Sequence, residues 1–358
     1  MVPFEDDTAT LPKGCAVCGK TETLLRCSAC KVLTYCGRDH QTQHRSAHKS
    51  ACNAVKKARQ VSDQAKQDLI NNPTFLNDNP FVHHVGNFSR LPETRPYVMS
   101  ISRLIRAIQL IQHADSMQAE LDCLMDMLRL GPDIDTGLRE SIPTVMIRLN
   151  KDQECYDFLK WWETRANDDN AKFLDIKNAD ILESVDFVRS KRHGELPMTL
   201  SLMLLKIKFL IDLLKLQEIE GKITEMKAEI QSGALEGPAP QLMEIFLADF
   251  RGRGLASPAI RARADLLDGQ DLSPKINTLK QQIDKLYDVI NNHNKHVWPT
   301  MKYPDKVLAQ TPHPINVFAM GSEEEMKIAL HQTWPAWAEI PGSLEFIIFK
   351  IDGISHLL

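Results

Sequence analysis

Hydrophobic residues fall into helical stripes over most of the chain. From Tyr97 to about Trp162 they recur at steps of three and four: Ile101, Leu104, Ile105, Ile108 and Ile111, then Met117, Leu121, Leu124, Met125 and Leu128, then Leu138, Ile142, Val145, Met146 and Leu149. A helix brings a side chain back to the same face every 3.6 residues, so each set predicts an amphipathic helix with one buried side. The breaks are short, GPDIDT at 131–136 and NKD at 150–152, which makes neighbouring helices antiparallel. The segment reads as stacked helical hairpins of a tetratricopeptide-like or related α-solenoid kind. No repeat of fixed length is found, so an irregular helical bundle is the alternative.

The flanking regions extend the helical reading. Residues 53–72, NAVKKARQVSDQAKQDLINN, predict a polar helix. Asn72-Pro73 and Asn79-Pro80 predict turns in a loop-rich passage to Glu93, and Pro96 predicts a helix start. After a polar stretch over 166–197, the run 199–217 is apolar nearly all round but carries Lys206, Lys208, Asp212 and Lys215. These charges predict a buried central helix and not a membrane span. Gly and Pro gather between Ser232 and Ser273 around a short helix at 241–250, and RGRG at 251–254 reads as solvated loop. Ser273-Pro274 predicts a capped helix in which Ile276, Leu279, Ile283, Leu286 and Ile290 form a short heptad-like seam. That seam is expected to pack on the body. Ser322 and Glu325 predict a capping box that opens a helix to about Ala338. The closing LEFIIFKIDGISHLL is a docked element that the pattern assigns to neither helix nor strand.

Composition is that of an ordinary globular chain, with 43% hydrophobic and 25% charged among 358 residues. The start MVPFEDDTAT lacks the basic and apolar regions of a secretory signal, so an intracellular protein, nuclear or cytoplasmic, is expected. The net charge of −4 hides an asymmetry. Lys13 to Arg59 holds ten Lys and Arg against Glu22 and Asp39, a surplus of +8, and the remainder carries −12. Six of the eight cysteines lie in this basic end, and the other two, Cys123 and Cys155, read as core residues rather than a disulfide.

The basic end contains the stretch that dictates a chemistry, CAVCGKTETLLRCSACKVLTYCGRDHQTQHRSAHKSAC at 15–52. Its candidate ligands pair as Cys15 with Cys18, Cys27 with Cys30, Cys36 with His40, and His48 with Cys52. Two residues between cysteines let one turn present both thiolates to a metal. Three residues between ligands place both on one face of a helical turn. Four pairs make two four-coordinate zinc sites filled entirely by protein, which predicts two structural Zn2+ and no open catalytic position. Spacing alone leaves open which pairs share a metal.

The spacing C-x2-C-x8-C-x2-C-x5-C-x3-H-x7-H-x3-C resembles the MYND-type zinc finger. The resemblance implies a crossed arrangement: Cys15, Cys18, Cys36 and His40 hold one metal, and Cys27, Cys30, His48 and Cys52 the other. His40 stands where the family usually has cysteine, and His44 falls off the matched positions and outside the shell. It also implies a protein-interaction module that holds short proline-containing peptides through Gln41. The family's usual tryptophan is Arg45 here, which alters the contact surface. The helical region, including residues 127–162, is similar to that of fungal MYND-finger proteins.

The resulting expectation is a mainly α protein: a cross-brace double-zinc finger at 15–52, a connector over 53–96 and an all-α body over 97–358 with a Gly/Pro-rich interruption near 232–273. Two enzyme classes carry such fingers. The sequence lacks the asparagine-histidine motif and Gly-rich cofactor loop of the SET-type methyltransferases. His113-Ala114-Asp115 matches the iron-binding letters of the prolyl hydroxylases, but at a helix junction and not in a β-barrel. The function expected is therefore a non-enzymatic adaptor, such as a transcription-related regulator, with a protein partner and no membrane. The alternatives are a nucleic-acid-associated regulator using the basic finger and, third, an enzyme such as a MYND-containing methyltransferase.

Overall fold

The computed structural model describes residues 11–354 apart from 77, 133–136, 167–171, 189–195, 234–242, 244–246, 248–249, 253 and 311–317. Residues 10–149 and 150–358 form two compact units. The division falls after Leu149, inside the stretch expected to be one helical body, and the finger shares its unit with the helices that follow it.

The first unit opens with a small antiparallel sheet of β1 (Leu25–Arg26) and β2 (Thr34–Tyr35), with Leu25 opposite Tyr35 and Arg26 opposite Thr34. Helices α1 (Arg38–Gln43) and α2 (Arg45–Ile70) follow. The polar helix expected over 53–72 thus begins eight residues earlier, at Arg45. Its buried residues, His48, Cys52, Val55, Ser62 and Leu69, make a narrow stripe on an otherwise solvated helix. α2 packs on α4 (Arg95–Ile108), which buries Tyr97, Ile101, Leu104, Ile105 and Ile108. Between them Asn72 and Asn79 each accept a backbone amide two residues on, from Thr74 at 2.9 Å and Phe81 at 3.0 Å. The proline after each asparagine presets the turn. The second turn starts α3 (Pro80–His83) and places Phe81 against Phe88 and Tyr97, with ring centroids 5.3 and 4.9 Å away. α5 (Ala114–Leu130) packs on α4 and on α6 (Leu138–Arg148).

The second unit is arranged around α8 (Leu196–Gln231), with α7 (Asp152–Thr164), α10 (Ser273–His293), α13 (Glu323–Glu339) and α14 (Ser343–Ile351) packed against it. The short α9 (Pro258–Arg261), α11 (Val297–Lys302) and α12 (Asp305–Leu308) complete it. Packing about one central helix is that of a bundle. Among the described residues no helix is long and apolar enough to cross a membrane. The charges of α8 explain how it stays buried. Lys206 donates to the carbonyls of Ile181 at 2.7 Å and Glu183 at 3.1 Å, and Asp212 accepts the amides of Ala256 and Ser257 at 2.8 and 2.7 Å. Lys208 meets Asp152 at 2.9 Å and Asn150 at 2.8 Å. Each buried charge is matched where a membrane would leave it bare.

The seam of α10 is buried at all five expected positions and faces α8. Ser273 is not its cap: it is the first helical residue, and Asp271 accepts its amide at 2.9 Å. Ser322 does cap α13, accepting the Glu325 amide at 3.2 Å. The Glu325 carboxylate turns to the Gly321 amide, His293 and Asn294, at 2.6, 2.9 and 3.0 Å. Of the closing apolar stretch, residues 344–351 lie in the helix α14, and 355–358 fall outside the described residues. Cys123 and Cys155 form no disulfide; burial pushes the Cys123 thiol up to about 11 and raises that of Cys155 well above the usual thiol range. The helix expected over 241–250 falls largely outside the described residues, as do parts of the breaks at 131–136, 166–197 and 251–254.

Removing one member of the Lys208–Asp152 pair strands the other where both side chains are at most 2% exposed. Lys208→Ala is expected to cost about 3–5 kcal/mol in urea unfolding, and Lys208→Met with Asp152→Leu to recover most of it. A loss below about 1 kcal/mol for the single change would show that the pair does not hold α7 to α8.

Candidate metal centre

Two tight turns present the first four sulfurs. In the first, Cys15 donates its amide to the Lys20 carbonyl and accepts that of Gly19, both at 2.8 Å. Gly14 precedes it with φ +78°, and a Cβ there would lie 2.5 Å from the Lys20 carbonyl oxygen, so the turn requires glycine. In the second, Cys27 donates to the Leu33 carbonyl and accepts the amide of Lys31, again at 2.8 Å. Lys31 takes the left-handed conformation at φ 57°, at a cost of about 1–2 kcal/mol for a residue with a Cβ. Cys36 leaves β2 one turn ahead of His40 on α1. His48 and Cys52 lie one turn apart on α2.

These elements collect the donors into two groups, Cys15, Cys18, Cys36 and His40, and Cys27, Cys30, His48 and Cys52, with all donor atoms of each within 4.8 Å of one another. The pairing is the crossed one. In the first group Cys18 and Cys36 sulfurs are 3.7 Å apart, and His40 Nδ1 lies 3.4 Å from Cys15 and 3.0 Å from Cys36. In the second, Cys27 and Cys52 are 3.7 Å apart, and His48 Nε2 is 3.4 Å from Cys30. A tetrahedral zinc with bonds of about 2.3 Å to sulfur and 2.0–2.1 Å to nitrogen sets edges of roughly 3.8 and 3.6 Å. The donor sets therefore fit zinc, each with three thiolates, one imidazole and no position left for water or substrate. Zinc supplies folding free energy in such sites.

The protein answers the charge of these sulfurs unevenly. Burial works against the Cys15 thiolate, but the amides of Cys18, Cys36 and Val17, with His40, bring it down to about 5. Cys27 is lowered in the same way by the amides of Cys30 and Ala29 against its burial. Burial and the neighbouring sulfurs push Cys36 up to about 11 and Cys52 to about 12. The turn at Cys15 thus favours a thiolate, the turn at Cys27 shifts its sulfur in the same direction, and a dication at the centre of each group favours the ionised form of the thiols that coordinate it. Burial raises the Tyr35 phenol as well; its hydroxyl lies 3.1 Å from Nδ1 of His44. His44 stacks on the His48 ring at 5.8 Å between centroids and belongs to neither donor group. It supports a ligand and does not compete with it.

Sequence reasoning missed what fastens the finger to the helices. Ala114 donates its amide to the Pro12 carbonyl at 2.8 Å. The Thr34 hydroxyl lies 2.5 Å from Asp115 Oδ2 and 2.9 Å from the Gly14 carbonyl, and shares one proton between them. His113 is buried and caps α5, its Nδ1 accepting the Asp115 amide at 3.1 Å. The His113-Ala114-Asp115 letters considered for iron are therefore a helix start clasping the finger, and neither residue joins a metal-ligand group among the described residues. The signal was a polar residue ahead of an amphipathic stripe, which announces a cap but not the partner of the next carboxylate. Gln41 is half-exposed on α1 and Arg45 exposed at the start of α2.

Residues 15–52 match the family model for the MYND finger. Over 38 residues the chain is 50% identical to Egl nine homolog 1 of Homo sapiens, a stretch covering 11% of this chain and 9% of that protein. The chain thus spans less than a tenth of that relative, within the finger. No solved structure matches it.

The purified protein is expected to hold two zinc ions per chain by elemental analysis, His40→Ala and His48→Ala to hold about one, and His44→Ala to keep two. Loss of an ion from His44→Ala would place that ring in the shell.

Proposed function

We propose that this MYND-finger protein is a non-enzymatic adaptor whose finger recognises a peptide segment of a partner protein. The observation that carries the reading is that side chains fill every coordination position of both donor groups, so the metals have shape to offer and no reactive site. The finger also offers an edge on which a peptide can lie. β2 has neighbours on both sides, β1 and the bridge to Cys15, while β1 pairs only with β2 among the described residues. Leu25, on that outer strand, is 66% exposed. An extended peptide added to such an edge gains main-chain hydrogen bonds and meets alternate side chains. Gln41, through its amide, and Arg45, in place of an aromatic, are the side chains proposed to set which peptide is accepted, including any proline-containing segment. An arginine there favours carbonyl and carboxylate groups over the flat apolar contact of a tryptophan. The helical bodies then serve as the scaffold for a second partner.

The test is affinity purification of the full chain from its own cells, read by quantitative mass spectrometry, against Leu25→Asp with Gln41→Ala. A subset of partners is expected to fall by about tenfold or more in the variant while zinc content stays at two per chain. Equal recovery from both proteins would remove the finger from partner recognition.

A further inference from the structure

Nine of the ten Lys and Arg between Lys13 and Arg59 are exposed. Among the described residues none of the nine makes an ion pair or side-chain hydrogen bond within the protein, while Arg59 donates to the Cys30 carbonyl. The second unit treats its cations differently. Lys160, Lys222, Arg263 and Lys302, for example, each sit within 2.8 Å of a carboxylate. Glu22 and Asp39 are the acidic residues in the same basic stretch, so a surplus of positive charge is displayed without internal compensation. Two zinc ions and six thiolates reduce it by only about two charges.

Part of this charge is ordered. At 100° per residue, Arg45, Lys49 and Lys56 fall within an arc of about 40° on α2, over roughly 17 Å of axis. All three are exposed. The steps between them, about 6 and 10 Å, equal two and three residues of an extended chain. The stripe borders the face of α2 that carries Cys52.

We propose that this surface docks an acidic, extended segment of a partner protein, with carboxylates on the α2 stripe. The proposal rests on the adaptor reading and names the chemistry of its partner. Single-stranded nucleic acid is the less suited anion: Tyr35 is the one Phe, Trp or Tyr in residues 11–70 and is 1% exposed, so no exposed Phe, Trp or Tyr ring is offered there for a base to stack on. The apolar Leu25 suits a peptide, which brings apolar side chains between its charges, better than a phosphate backbone.

The test uses the zinc-loaded full chain and fluorescence anisotropy at about 50 and 300 mM salt, across which exposed charge pairs are progressively screened. The probes are a glutamate-rich peptide of about 12 residues with one leucine, its glutamine counterpart, and a DNA duplex and a DNA single strand of about 12 units. The glutamate peptide is expected to bind at least about tenfold more tightly than the glutamine peptide and than either DNA at low salt. Arg45→Glu with Lys56→Glu is expected to abolish that preference, and Lys227→Glu, an exposed charge of α8, to leave it intact. Equal affinity for the two peptides, equal loss with Lys227→Glu, or tighter binding of either DNA would each overturn the proposal. If the glutamate peptide fails while capture of cellular partners still depends on Leu25 and Gln41, the acidic chemistry is wrong and the adaptor reading stands.

Discussion

Six cysteine sulfurs gathered into two clusters repel one another as thiolates, and four of them, Cys15, Cys27, Cys30 and Cys52, lose solvation by burial. The backbone amides of the turns at Cys15 and Cys27 favour the anion at each, while burial, with the neighbouring sulfurs, pushes Cys30, Cys36 and Cys52 the other way. A dication at the centre of each group offsets that repulsion and so supplies folding free energy. The geometry of the first unit follows from this requirement. Gly14 must be glycine so that the chain can close around Cys15. Lys31 is strained so that Cys30 can face Cys27, and α2 must start at Arg45 so that His48 and Cys52 reach the second group.

The same requirement spreads beyond the finger because its framework is shared. α2 supplies two ligands at one end and packs on α4 along its length. Thr34, between the cysteines of both groups in the small sheet, also meets Asp115 at the first turn of α5. Pro12 adds a backbone bond to Ala114. A module of fewer than 40 residues, too small to bury an adequate core alone, thus borrows order from helices that follow it in the chain, and gives them a fixed N-terminal edge in return.

Much of this was legible in the sequence, and the illegible parts have a common cause. Ligand spacing is a local property, so Cys15 to Cys52 announced two metal sites, and helical period announced α4 to α8. Which ligand pairs share a metal is a non-local property, which spacing left open and a family resemblance supplied. The unit boundary after Leu149 was missed because a polar helix such as α2 reads as a connector, while its narrow stripe of Val55, Ser62 and Leu69 suffices to pack it on α4. Asp115 was likewise unreadable, since a carboxylate in a first helical turn favours the helix dipole whatever else it touches. Lys206 and Lys208 were read correctly as signs of a protein interior, but the loop carbonyls and Asp152 that hold them lie tens of residues away.

That the finger and its neighbouring helices are one metal-dependent unit is tested most directly by hydrogen exchange of the full chain with and without a zinc chelator. The account predicts that amides in residues 11–52 and those of α4 and α5 lose protection together when both ions are removed, with α8 as the internal reference. Unchanged protection of α4 and α5 beside an unfolded finger would contradict it.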